Sequence, residues 1–149
     1  MLDGKLQEYN ESNAMMDLVL FEQAMEHVTR ICRILSNPSG HAMLIGVGGS
    51  GKQSLTRLAA FICGYEVKQL AVTARFKMED LKEALKDMYR LAGVKGVSLV
   101  FLITDSQIID ERFLIYINAL LSSGWITDLF SKEELEALLA GVRSEARAQ

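Results

Sequence analysis

The apolar positions of this chain follow two periods that alternate along it. Phe21, Ala24, Met25, Val28, Ile31, Cys32 and Leu35 recur at the spacing of one helical face, and Glu22, Glu26, Arg30 and Arg33 lie off it. Ser36-Asn37-Pro38-Ser39-Gly40 stops that helix in a turn. Residues 41–46 are a short apolar run that reads as a first strand, and residues 52–63 read as a helix ended by Gly64. Residues 65–73 predict a second strand. Residues 78–92 predict an amphipathic helix with Leu81, Leu85, Met88 and Tyr89 inward. Residues 97–104 have no alternation, which suits a strand buried on both faces of a parallel sheet. Residues 111–123 predict a helix with Phe113, Leu114, Ile117, Leu120 and Leu121 on one side. Ser131 and Glu134 have the spacing of a capping box at the start of a last helix. Residues 1–17 are polar, and Leu2, Leu6 and Tyr9 offer one weak face. That stretch reads as an extended lead-in to a domain over residues 18–149. The alternation of helix and strand argues for an α/β layered fold with a parallel sheet.

Composition narrows the picture by exclusion. A chain of 149 residues, half of them hydrophobic and 23% charged, is long enough for one domain with its own core. The net charge of −3 gives no general pull toward nucleic acid or an anionic membrane. No apolar run approaches the ~20 residues that span a bilayer. The first residues carry no signal-peptide pattern. Neither nucleic acid nor membrane is therefore expected as a partner. Cys32 and Cys63 fall on apolar faces and read as small core residues, not as a disulfide or metal pair. His27 and His41 read as structural or surface residues, and Trp125 as a packing or interface residue. Lys82, Lys86 and Arg90 read as a solvated basic face.

The candidate chemistry is concentrated in Gly46-Val47-Gly48-Gly49-Ser50-Gly51-Lys52-Gln53-Ser54. A glycine-rich loop between a strand and a helix, with lysine at its end, is the phosphate-cradling loop of nucleotide-binding proteins. Glycines let backbone N–H groups approach phosphate oxygens, and the helix that follows points its positive end at the same anion. Lys52 supplies a mobile cation for the outer phosphates. Gln53 stands where a Ser or Thr hydroxyl ordinarily ligates Mg²⁺. Its amide oxygen suits a hard cation, but on a longer side chain. Ser54 points ~100° away around the helix. The second position is Thr104-Asp105-Ser106-Gln107, at the end of the third expected strand. Two registers fit it. Asp105 holds the Mg²⁺ shell with Ser106 in the catalytic place, or Thr104 takes the metal position and Asp105 the catalytic one. Either way one carboxylate stands where hydrolysis wants two.

These segments carry a resemblance. Residues 18–28 and 30–35, the loop with Gln53 after Lys52, Thr104-Asp105-Ser106-Gln107, and Asn118-Ala119-Leu120-Leu121-Ser122-Ser123-Gly124 resemble the fourth AAA+ module of dynein heavy chains, the axonemal type in particular. The resemblance implies a three-layer P-loop fold of AAA+ type, in which this chain stops before a later strand that lies inside the sheet. It implies a module that binds ATP or ADP, with Mg²⁺ handled by Gln53 and Asp105, and regulates a motor with weak or no hydrolysis of its own. It implies that Leu18, Val19 and Leu20 surround the adenine. Gly46, Gly48, Gly49, Ser50, Gly51, Lys52, Gln53 and Ser54 then surround the phosphates. The implied partners are neighbouring AAA+ modules of the same heavy chain, with the microtubule reached only through regions absent here. The implied location is the cytoskeleton, in the axoneme of a cilium or flagellum. The alternatives are a self-contained P-loop kinase or NTPase and a scaffold module without nucleotide.

Overall fold

Where the apolar period is 3.6, the chain is helical. The computed structural model describes residues 2–148. Its elements are α1 (Leu2–Ser12), α2 (Glu22–Leu35), α3 (Lys52–Ile62), β1 (Glu66–Gln69), α4 (Met78–Gly93), β2 (Leu99–Leu102), a 3-10 turn (Asp105–Gln107), α5 (Phe113–Ser123) and α6 (Lys132–Ala148). β1 and β2 pair in a two-stranded parallel sheet, so the class is α/β. The chain divides into two compact units, residues 1–67 and 68–149. No helix among the described residues is long and apolar enough to cross a membrane.

In the first unit the stripe on α2 does what its spacing demands. Ala24, Val28 and Ile31 bury against Leu55, Leu58 and Ala59 of α3, with Cys32, Leu35, Leu44 and Ile62 packed around them. Val28 and Leu58 are fully buried, a state that contributes about 1.5–3 kcal/mol for each such side chain. After α2 the chain turns sharply. Gly40 N–H donates to the Asn37 carbonyl at 3.0 Å, and a Cβ on Gly40 would lie 1.8 Å from the Ile34 carbonyl oxygen. Only glycine fits there.

The structure corrects two expectations in this unit. The expected extended lead-in is helical over Leu2–Ser12, which form α1. Leu2, Leu6 and Tyr9 pack on the α2–α3 core, and the Tyr9 ring meets Phe61 edge-on at 5.3 Å. A stripe too weak to form a helix alone is stabilised by the surface it covers. Residues 41–46 are not a strand. Leu44 alone of the run packs on the core, while Met43 and Ile45 are 86% and 85% exposed. An apolar run becomes a strand only when a neighbour takes its N–H and C=O groups, and no strand pairs with it among the described residues.

The second unit is built around Leu70, Leu81, Leu85, Phe113, Ile126 and Leu129. Lys77 N–H donates to Asp80 Oδ2 at 2.7 Å at the head of α4. The expected capping box opens α6: Ser131 N–H donates to Glu134 Oε2 at 2.9 Å, and Glu134 N–H to Ser131 Oγ at 3.2 Å. The basic face of α4 is not simply solvated. Lys86 Nζ donates to both Glu134 carboxylate oxygens at 2.8 and 2.9 Å, and its side chain is only 12% exposed. That pairing joins α4 to α6, with Lys86 also over the Phe130 ring. Trp125, Tyr89 and Phe130 pack against one another, and Tyr89 Oη donates to the Gly124 carbonyl at 2.8 Å. Helix α5 differs from its expected face. Phe113, Tyr116, Ala119 and Leu120 meet the core, whereas Leu114 and Leu121 are about half exposed. The helix is apolar on both sides, so periodicity alone did not select the inward one. β2 is shorter than the run of residues 97–104, and Val100 is its one buried residue. With a partner on one side only, its ends are not held in a ladder.

Candidate functional site

The glycine loop is shaped by two left-handed residues. Gly49 and Gly51 have φ of 74° and 73°, a region that costs side-chain-bearing residues about 1–2 kcal/mol. Gly51 is the N-cap of α3, and Leu55 N–H donates to its carbonyl at 2.8 Å. A Cβ on Gly48 or Gly49 would meet nothing within 4 Å, so the loop is open above both. The first turn of α3 contains no acidic residue, unlike those of α2, α4 and α6. Its positive end therefore faces the loop without a carboxylate of its own helix to neutralise it.

Lys52 turns back over the loop. Its Nζ donates to the Gly46 carbonyl at 2.8 Å, the Val47 carbonyl at 2.7 Å and Ser50 Oγ at 3.1 Å. The ammonium is thus collected by three oxygens at the centre of the loop. Behind it, Thr56 Oγ1 donates to the Lys52 carbonyl at 2.9 Å and is buried in the helix contact. Gln53 is exposed and Ser54 half-buried. Leu18 comes against this structure, with its Cδ1 3.6 Å from where a Cβ on Gly51 would sit. Leu18 and Leu20 pack on the core, and Val19 between them is 74% exposed. The first unit therefore brings together Leu18 and residues 46–54.

Asp105 lies in the second unit, at the end of β2. The turn that carries it is anchored by Gln107, a residue to which the sequence alone assigned no role. Gln107 is 9% exposed. Its Nε2 donates to the Leu70 carbonyl at 2.6 Å, and its Oε1 accepts from Thr104 N–H at 2.9 Å and Thr104 Oγ1 at 3.1 Å. Thr104 Oγ1 also lies 3.1 Å from Ser106 Oγ. The Thr104 hydroxyl is consumed within the turn, while Asp105 is exposed. The one available signal was the spacing Thr104-x-x-Gln107, that of a capping box, which the turn forms. Two clefts occur in this unit, one of about 290 Å³ by Phe76, Lys77, Asp110 and Arg112 and one by Lys68, Leu70, Met88 and Leu91. Neither contains a residue expected to bind nucleotide. No group of three or more His, Cys, Asp or Glu side chains that could hold a metal ion occurs among the described residues.

A glycine loop with two left-handed residues, closing into a helix N-terminus headed by lysine, has the loop and helix of a P-loop without, among the described residues, the strand before them. The family model described as "P-loop containing dynein motor region D4" matches residues 16–149, and the chain belongs to that family. It is 61% identical over 147 residues to the dynein beta chain of the flagellar outer arm of Chlamydomonas reinhardtii, and 59% identical over 147 residues to the alpha chain of the same arm. It is 53% identical over 144 residues to dynein axonemal heavy chain 9 of Homo sapiens. These matches cover 97–99% of this chain and 3% of each relative. The chain thus spans a small part of the length of the proteins it resembles.

Proposed function

We propose that this chain is a nucleotide-binding, regulatory AAA+ module of an axonemal dynein heavy chain, which holds ATP or ADP and hydrolyses it weakly or not at all. The observation that carries this reading is the Lys52 ammonium, gathered by Gly46, Val47 and Ser50 inside a glycine loop at an acid-free helix N-terminus. A phosphate group fits this cradle. Backbone N–H groups of Gly48 to Lys52 and the Lys52 ammonium would hold it, with Lys52 exchanging carbonyl partners for phosphate oxygens. Leu18, against Gly51, and the exposed Val19 offer apolar surface to an adenine ring, with Leu20 behind them.

Mg²⁺ fits less well. It takes oxygen ligands from one or two carboxylates and the phosphates. Gln53, in the first unit, offers one amide oxygen; Asp105, in the second, offers one carboxylate; and the Thr104 hydroxyl is engaged by Gln107 and Ser106. That favours Asp105 as the metal-shell carboxylate, with Ser106 where a catalytic carboxylate would stand. A serine there cannot act as a general base for water near neutrality, which supports holding over hydrolysis. The exposed Met43 and Ile45 support a wider, three-layer parallel sheet, in which residues 41–46 are a paired strand. We further propose neighbouring AAA+ modules of the same heavy chain as partners, microtubules as the track reached through other regions, and the axoneme as the location. This follows the relatives named above.

Titration with labelled ADP and ATP, with and without Mg²⁺, alongside a phosphate-release assay, tests this reading. Binding that Lys52→Ala abolishes, with little or no turnover, is expected. Turnover on a small phosphoryl acceptor would instead indicate a kinase. A folded sample that binds neither nucleotide would indicate a scaffold.

A further inference from the structure

The two cysteines are 31 positions apart in sequence, yet the fold sets them together. Cys32 is on the inner side of α2, and Cys63 is the C-cap of α3. The Cys63 thiol donates to the Cys32 carbonyl at 3.8 Å, and the Cys32 thiol to the Ala59 carbonyl, one turn before Cys63, at 3.6 Å. Both cysteines are free and neither residue is fully buried. No group of three or more metal-ligating side chains occurs around them among the described residues.

We propose that Cys32 and Cys63 are a modification site: they form a reversible disulfide that staples α2 to the end of α3, the helix whose other end carries Lys52. The oxidant is a low-molecular-weight disulfide such as oxidised glutathione. One protein thiolate attacks it, forms a mixed disulfide and releases one glutathione thiol. The second protein thiolate attacks the protein sulfur of that bond and expels the other glutathione. Two S–H bonds are lost from the protein and one S–S bond forms. The two protons and two electrons leave on two molecules of reduced glutathione. Burial, with Cys63 beside it, pushes the Cys32 thiol up to about 11. Cys32 is therefore seldom a thiolate near neutrality, and the exchange is slow, as suits a bond that follows sustained redox poise. Inside cells such disulfides are characteristically transient and redox-sensing.

The test is direct mapping of the bond. The 149-residue chain is equilibrated in glutathione buffers of graded potential, native and in urea, then alkylated and digested with trypsin without reduction. The two cysteines fall in separate tryptic peptides, residues 31–33 and 58–68. The linked peptide is expected to form in the native chain at least about tenfold more readily than in urea, because the fold holds the thiols together. Oxidation is expected to raise the thermal midpoint by roughly 5 °C, reversibly with dithiothreitol. Cys63→Ser is expected to lose that rise. Thiols left untouched, single glutathionylated cysteines, disulfide-linked dimers, or equal linkage in urea would overturn the proposal, as would linkage without a rise in midpoint. The mapping uses no nucleotide and the wild-type chain, so its result is separate from that of nucleotide binding and from whether the variant folds.

Discussion

Lys52, Gln107 and Gly40 show how single residues define this chain. Lys52 gathers three oxygens of its own loop, so its removal frees acceptors on an exposed surface and not in the core. Lys52→Ala is expected to leave the thermal midpoint within about 2 °C of wild type while weakening ADP binding by tenfold or more, read by calorimetry. Gln107 is the opposite case. Gln107→Leu would leave the Leu70 carbonyl and the Thr104 N–H without their partner. The expected loss is about 1–3 kcal/mol, read as a lower urea midpoint. Gly40→Ala would drive a Cβ into the Ile34 carbonyl. It is expected to destabilise by about 2 kcal/mol or more, through movement of the backbone after α2, and to lower the same midpoint. The place of Lys52 at the head of α3 was legible from the sequence because it depends on local spacing. Gln107 was not, because its principal partner is 37 positions away.

Helices account for most of what could be read in advance at the scale of elements. The stripe of α2 and the capping box of α6 are local patterns, and both occur where the sequence puts them. Leu58 joins the stripe of α2 to α3 and is fully buried. Leu58→Ala is expected to cost about 2–5 kcal/mol, read by thermal unfolding. A smaller loss would mean that α3 closes over the cavity. The short approach to α5 is ordered by charge. The Arg112 guanidinium, and then its backbone N–H, hold the Asp110 carboxyl at about 2, below its ordinary 3.8. A depressed carboxyl stabilises the folded state above pH 3.8, and that contribution is lost as pH falls through about 2. The carboxyl carbon shift of Asp110 should titrate near 2 and return toward 3.8 in Arg112→Gln. A midpoint unmoved by the substitution would rule out the pair as the cause. Strands and α1 were less legible for one shared reason. The 41–46 run needs a neighbour to become a strand, and α1 needs a surface to become a helix. Residues 41–46 lack the first among the described residues, and α1 has the second.

At the scale of the whole molecule, the family was readable because it rests on short segments in fixed order, the glycine loop among them. Of the parallel sheet, two paired strands are present among the described residues. The exposed Met43 and Ile45 fall where a further strand was expected, beside the loop itself. The central claim is that residues 46–54 hold the phosphates of a nucleotide. Amide ¹H–¹⁵N spectra of the labelled chain, recorded as ADP is added, test it most directly. The prediction is saturable shifts concentrated on Gly48, Gly49, Ser50, Gly51 and Lys52, absent in Lys52→Ala. A well-dispersed spectrum that ADP leaves unchanged at these amides, or shifts confined to the clefts of the second unit, would contradict it.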